Sequence, residues 1–202
     1  MNHLIVYAHP NTKSFCHALA QRVTTWYRIQ GGRTDVSDLY AVSFNPVLSE
    51  MDLAITGWEP FGSDIRTEQN KINCADTVTF IAPLWWNGFP AILKGYFDRV
   101  FREGFAYDNT NGEKQGLLSD KKFLFILTTS QEESALRRNG SLEAITRLIQ
   151  NGIASLCGVA QCEVYFLCGM SNLSDYRKKN ILKEVETVAR TFACEEEQHY
   201  YF

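Results

Sequence analysis

The chain has 202 residues, 45% of them hydrophobic, enough to fill the core of one domain spanning residues 1–202. Its 20 basic and 23 acidic residues leave a net charge of −3 with no long basic run, which argues against a nucleic-acid-binding surface. No segment reaches the roughly 20 apolar residues of a membrane span, and the apolar start at residues 1–7 is too short for a signal peptide, so a cytoplasmic protein without membrane insertion is expected.

Strand and helix signals alternate along the chain. Residues 4–8 form a short β-rich run. Residues 14–30 then place Phe15, Leu19, Val23 and Trp26 or Tyr27 at helical spacing and stop at Gly31 and Gly32. A weaker strand at residues 34–39 leads into an irregular stretch, residues 40–62. A polar helix at 65–73 precedes the most apolar strand, 77–82. The next helix, residues 90–102, has Pro90 in its first turn and an apolar face of Ile92, Leu93, Tyr96, Phe97, Val100 and Phe101. A strand at 121–129, a helix at 141–156, a strand at 160–168 and an amphipathic helix at 175–192 complete the series.

Five strands separated by helices predict an α/β fold with a parallel sheet covered on both faces. The absence of GxGxxG after the first strand favours a flavodoxin-like three-layer sandwich, five-stranded in the order 2-1-3-4-5, over a six-stranded Rossmann sheet. Six cysteines (Cys16, Cys74, Cys157, Cys162, Cys168, Cys194) are scattered without a CxxC pair and read as reduced thiols. His3, His9, His17 and His199 show no ligand spacing, so no metal site is expected.

In that strand order the chain reverses between the first and third strands, and the loops at their carboxyl ends flank one crevice beside the loop after the fourth. The first loop, HPNTKSFCHA (residues 9–18), opens a helix whose N-H groups and positive dipole end suit a phosphate, with His9 and Lys13 as added donors. Pro10, Asn11, Thr12 and Ser14 read equally as a turn and an N-cap. The second loop carries Trp85, Trp86 and Asn87. One tryptophan there could plug the core; two in succession cannot both point inward, so a flat ligand such as a flavin ring is expected against them. The third loop, TTSQEES (residues 128–134), offers hydroxyls and amides that suit a heteroaromatic edge or an ordinary turn.

Residues 83–107 (PLWWNGFPAILKGYFDRVFREGFAY), the opening YAHPNTKSF and the segment DLYAVSFNPVLS (residues 38–49) together resemble the NAD(P)H:quinone oxidoreductase family, the DT-diaphorase-like flavoproteins. The likeness runs from Leu4 to about Val164. It implies a flavoenzyme that passes two electrons from NAD(P)H to a quinone in ping-pong order, through flavin N5. His9, Thr12, Ser14, Phe15 and Cys16 match the family's flavin phosphate loop, with Cys16 where many members have asparagine. Gln69 matches a position near the distal flavin moiety. Pro83, Leu84, Trp85, Trp86 and Asn87 match one wall of the ring, and Thr128, Thr129, Ser130 and Gln131 its other edge. The resemblance also implies that Trp86 and Tyr107 belong to the substrate pocket, with Tyr107 reaching it from the partner subunit of a homodimer. The length of residues 40–62 and the match at Gln69 tilt the cofactor toward FAD over FMN.

The third loop departs from the family's pattern. It lacks the glycine pair followed by a tyrosine and a histidine, and Arg137, Arg138 or a backbone N-H near Gln131 is the expected electrostatic substitute; both arginines also read as solvated helix-flank charges. A close branch of the family serves as a flavin-binding ancillary subunit of potassium efflux systems, which makes a regulatory protein the alternative to an enzyme. The tail CEEEQHYYF (residues 194–202) would dock its aromatics on such a partner or across a dimer.

Overall fold

The structure is a computed structural model that describes residues 1–54, 62–110 and 112–194. The aromatic tail expected to dock on a partner lies, beyond Cys194, outside them. In chain order the chain forms β1 (His3–Tyr7), α1 (Phe15–Ile29), β2 (Thr34–Asp38), α2 (Glu50–Ala54), α3 (Ser63–Cys74), β3 (Thr77–Pro83) and α4 (Ala91–Val100). These are followed by β4 (Tyr107–Thr110), β5 (Glu113–Gly116), β6 (Lys122–Thr128), α5 (Glu133–Arg138), α6 (Ser141–Ile149), β7 (Gln161–Leu167) and α7 (Asp175–Cys194). The main sheet is parallel with strand order β2-β1-β3-β6-β7, the expected 2-1-3-4-5 arrangement.

The pleat explains the three layers. Alternate residues of a strand face opposite sides, and the central strands are apolar on both. Leu4, Val6, Val78, Phe80, Phe123 and Phe125 point to the side of α3, α4 and α6. Ile5, Tyr7, Ile81, Leu124 and Ile126 point to the side of α1 and α7. An aromatic cluster fills the first side: Phe80 stacks on Phe125 at 4.6 Å and packs on Phe97 at 5.0 Å, and Phe97 on Phe101 at 5.0 Å. No helix among the described residues is long and apolar enough to cross a membrane. The six cysteines stand as free thiols.

Several sequence expectations change. The long loop after α4 contains an antiparallel hairpin, β4 with β5, in which Tyr107 is paired with Gly116. Its strands carry charged and polar residues whose period is too short to read in isolation. The helix expected over 141–156 is α-helical only to Ile149 and continues as a π-helical turn, Gln150–Ala154, around Gly152. Pro90 stands one residue before its helix, as N-cap, because its extended backbone (ψ 144°) precedes the first helical residue, Ala91.

The described part of the stretch after β2, residues 40–54, lies as a strap over α4, and the rest of it up to residue 61 lies outside the described residues. Its clamp is Arg99, almost buried, which donates to the Asn45 carbonyl at 2.8 Å, to Asp64 at 2.9 Å and to Asp52 at 3.2 Å. Burial works to raise the Asp52 carboxyl, but hydrogen bonds from Arg99 and Ser49 outweigh it and hold the carboxyl below its ordinary range. A buried guanidinium with so many acceptors is compensated; losing one partner would leave charge stranded. Under the strap, Gly95 leaves no room for a side chain, since a Cβ there would overlap the Pro46 backbone. A second buried polar group, the Glu68 carboxylate, accepts from Ser37 at 2.6 Å, Lys71 at 2.6 Å and Tyr96 at 3.2 Å, tying α3 to β2 and α4.

Two outcomes follow. Gly95→Ala should destabilise the protein by about 1–3 kcal/mol through overpacking, read as a lower urea midpoint. On the opposite face of the sheet His3 lies flat on Tyr27, ring centroids 3.6 Å apart, and burial lowers its pKa to about 4. The unfolded chain therefore takes up a proton near pH 6.5 that the folded chain refuses until about 4. Stability should fall as pH drops through that window, by up to about 3 kcal/mol, and level off below it. His3→Phe should remove that component of the slope in denaturation series between pH 7 and 4.

Candidate functional site

The parallel order places the carboxyl ends of β1, β3 and β6 side by side, and the loops leaving them are joined by specific contacts. The Ala8 N-H donates to the Ile81 carbonyl at 3.0 Å and the Leu84 N-H to Thr128 at 2.7 Å. His9 packs edge-on against Trp85 at 6.0 Å, linking the first loop to the second. The Cys16 thiol meets the Thr128 hydroxyl at 3.1 Å, linking the first to the third. Gln131 Nε2 donates to Asn87 Oδ1 at 2.8 Å, linking the third to the second.

The first loop is built as a helix entry. Ser14 caps α1 by accepting from the His17 N-H at 3.1 Å, and its hydroxyl lies 3.3 Å from the Tyr7 hydroxyl. Asn11 accepts from the Lys13 N-H at 2.8 Å. The turn-and-cap reading is met, and capping only His17 leaves the N-H groups of Phe15 and Cys16 at the helix start without an intrahelical acceptor, an arrangement that suits an anion. His9 Nδ1 accepts from the Asn11 N-H at 3.0 Å. The ring proton of neutral His9 then resides on Nε2, and burial lowers the pKa, so His9 presents a neutral N-H donor. Thr12 is exposed and Phe15 half-buried on either side of this entry.

The second loop turns back on itself in two residues. Trp85 and Gly88 exchange both backbone hydrogen bonds at 3.0 Å, and the residues between them are left-handed, Trp86 at φ 54° and Asn87 at φ 56°. That is the I′ hairpin pattern, which asparagine tolerates and tryptophan does not, at about 1–2 kcal/mol for an ordinary residue. Trp86 is nonetheless fully exposed and Trp85 43% exposed. Asn87 also donates from Nδ2 to the Ser141 hydroxyl at 3.3 Å, at the start of α6.

Other expected site residues turn out to be committed elsewhere. Gln69 is 3% exposed and donates to the Val100 carbonyl at 3.0 Å, so its amide serves the packing of α3 on α4 and does not reach the crevice. The Cys16 side chain faces inward, where burial raises its pKa to about 11, leaving only its backbone at the helix entry. Pro83 and Leu84 are buried. Thr128 is taken by Cys16, and the Thr129 hydroxyl accepts from the Gln131 N-H at 3.3 Å while its backbone binds Leu167. Ser130 and Gln131 remain exposed. Arg137 is held by Glu133 at 2.7 Å, the i to i+4 pair of α5, and lies 3.8 Å from Glu143; Arg138 is exposed at the end of α5. The short helix thus directs Arg137 to its own acidic neighbours. Tyr107 is set apart in an apolar groove with Phe89, Phe97, Phe101, Leu148 and Leu156, its ring 5.6 Å from the Lys114 ammonium.

Tyr7 and Ser141 join the site without having been expected. Tyr7 could have been found as an aromatic hydroxyl ending the first strand, at the edge where ligands sit. Ser141 could not, since nothing in its local sequence points toward Asn87.

The residues fit a phosphate-bearing planar cofactor: an open helix entry with a neutral histidine donor stands beside two exposed indoles and a polar third loop. A family model described as flavodoxin-like fold matches residues 1–191. The chain is 36% identical to an uncharacterized NAD(P)H oxidoreductase of Haemophilus influenzae, over 91% of each protein. It is 34% identical to NAD(P)H dehydrogenase [quinone] 1 of Rattus norvegicus, over 92% of this chain and 76% of the rat protein. The solved structure of an NAD(P)H:quinone oxidoreductase from Methanothermobacter marburgensis is similar at a TM-score of 0.84 and 29% identity, over 94% of this chain and 98% of that one. The chain thus belongs to the NAD(P)H:quinone oxidoreductase family, with the flavodoxin-like fold.

Proposed function

We propose that this chain is a flavin-dependent NAD(P)H:quinone oxidoreductase. The observation that carries the reading is the exposed, backbone-strained Trp85-Trp86 turn at the carboxyl end of β3, facing an open helix entry across the strand-order reversal. A bound flavin would supply the centre that accepts a hydride from NAD(P)H and hands it to the acceptor. The protein's residues bind and orient. The N-H groups of Phe15 and Cys16, with Ser14 at the cap, would hold the cofactor phosphate, and His9 Nε2 would add a donor. Trp85 and Trp86 would wall the ring, and Ser130 would offer a polar contact to its edge, the Gln131 carboxamide being taken by Asn87. One crevice used in turn by nicotinamide and quinone gives ping-pong order.

The phosphate and ring sites account for the part that FMN and FAD share. Because Gln69 is spent on Val100, the residue that favoured the adenylate half no longer does so, and the reading leans to FMN. The apolar groove around Tyr107 supports a homodimer in which that tyrosine serves the partner's crevice, since a groove of this kind on a monomer leaves aromatic surface in water. Arg137, paired to Glu133, has no part in the reading.

The mass of the cofactor released on denaturation should be that of FMN; release of FAD would correct the cofactor, and release of no flavin after loading with either would reject the function. Oxidation of NADH or NADPH should depend on menadione and give parallel reciprocal plots. Arg137→Ala and Arg138→Ala should leave the rate of hydride transfer within about twofold of the parent, as surface ion pairs allow; a loss of tenfold or more would return one of them to the site.

A further inference from the structure

A fully exposed tryptophan in a left-handed backbone conformation contributes nothing to the fold that a smaller residue would not contribute better. Something must therefore hold the turn in place. The backbone bridge between Trp85 and Gly88 closes the turn but does not orient it on the sheet. The side chain of its second central residue does: Asn87 Oδ1 accepts from Gln131 Nε2 at 2.8 Å, and Asn87 Nδ2 donates to the Ser141 hydroxyl at 3.3 Å. Both polar ends of one carboxamide are thus used, one on the loop after β6 and one on the first residue of α6. Gln131 is itself anchored through its backbone, its N-H to the Thr129 hydroxyl at 3.3 Å and its carbonyl accepting from Gly169 at 2.8 Å. Each end of the latch therefore sits on a fixed element, while the turn it holds projects into solvent.

We propose that Asn87, Gln131 and Ser141 form a carboxamide latch that positions Trp86 at the mouth of the crevice, making Gln131 a positioning residue for the flavin site. The inference rests on the flavin reading for its consequence, though not for the latch itself. Free of the latch, the turn would sample other orientations, and the indole would have to be reordered each time the ring is bound. The latch lowers that ordering cost beforehand, which is how preorganisation raises affinity. The contact is neutral and partly wet, so its effect on a binding constant is that of one ordinary hydrogen bond, about fivefold.

Gln131→Ala is the primary test, because it cuts the latch without touching the turn; Ser141→Ala cuts the other end, and Asn87→Asp keeps an acceptor for Gln131. In flavin-free protein, hydrogen exchange at the Trp85 and Gly88 amides should speed up about fivefold in Gln131→Ala. It should speed up less in Ser141→Ala, stay near the parent rate in Asn87→Asp, and leave the melting temperature unchanged in all three. FMN should bind about fivefold more weakly to Gln131→Ala, with Asn87→Asp close to the parent. Unaltered exchange in both alanine variants would overturn the latch whatever the flavin result. Faster exchange with unaltered FMN affinity would overturn its positioning role. Failure of the unaltered protein to bind FMN or FAD would instead overturn the flavin reading, leaving the exchange result to judge the latch.

Discussion

Parallel pairing of β1 between β2 and β3 is the constraint from which the rest of the molecule follows. Parallel strands need crossovers, and crossovers put helices on both faces, so every central strand must be apolar on both sides. The chain meets that demand with Leu4, Ile5, Val6 and Tyr7 in β1 and with alternating apolar residues in β3 and β6. Because the sheet is extended from β1 first in one direction and then in the other, two neighbouring loops part at its carboxyl edge. The crevice exists for topological reasons before any residue in it is chosen.

The walls of the crevice differ in how they are fixed. The first loop is held locally, by the Ser14 cap and the Asn11 turn, and needs little from elsewhere. The second depends on tertiary contacts: its strained turn leans on Gln131 and Ser141, and Trp85 leans on His9. The third spends the Thr128 hydroxyl on Cys16 and the Thr129 hydroxyl on the Gln131 N-H, and exposes Ser130 and Gln131 beside them. Strain in the middle wall and polar groups on the outer two suit the flat-ring site proposed for this crevice.

Away from the crevice, buried charge organises the opposite layer. Arg99 gathers the strap, the start of α3 and α4 into one unit through Asp52, Asp64 and the Asn45 carbonyl. Glu68 does the same for β2, α3 and α4. Such groups gain little net stability but penalise alternatives heavily, since any rearrangement strands a charge in a low-dielectric interior. Beside them the Tyr96 hydroxyl, pushed well above its ordinary range by burial and by Glu68, remains a proton donor throughout the accessible pH range.

The amino-acid sequence by itself determined the strand order, the layer structure and the three loops that meet, because apolar periodicity and short crossovers leave a parallel sheet few arrangements. It also determined the helix entry, since a cap is a contact between residues three apart. Only the tertiary structure decided which side chains face the crevice. Gln69, Cys16, Thr128 and Thr129 are polar or reactive in the sequence but turn inward to partners 2 to 112 positions away. The hairpin of β4 and β5 and the contact of Asn87 with Ser141 were equally out of reach. Local pattern records which residues are near along the chain, whereas hydrogen bonds between loops are settled by where the packed sheet carries them.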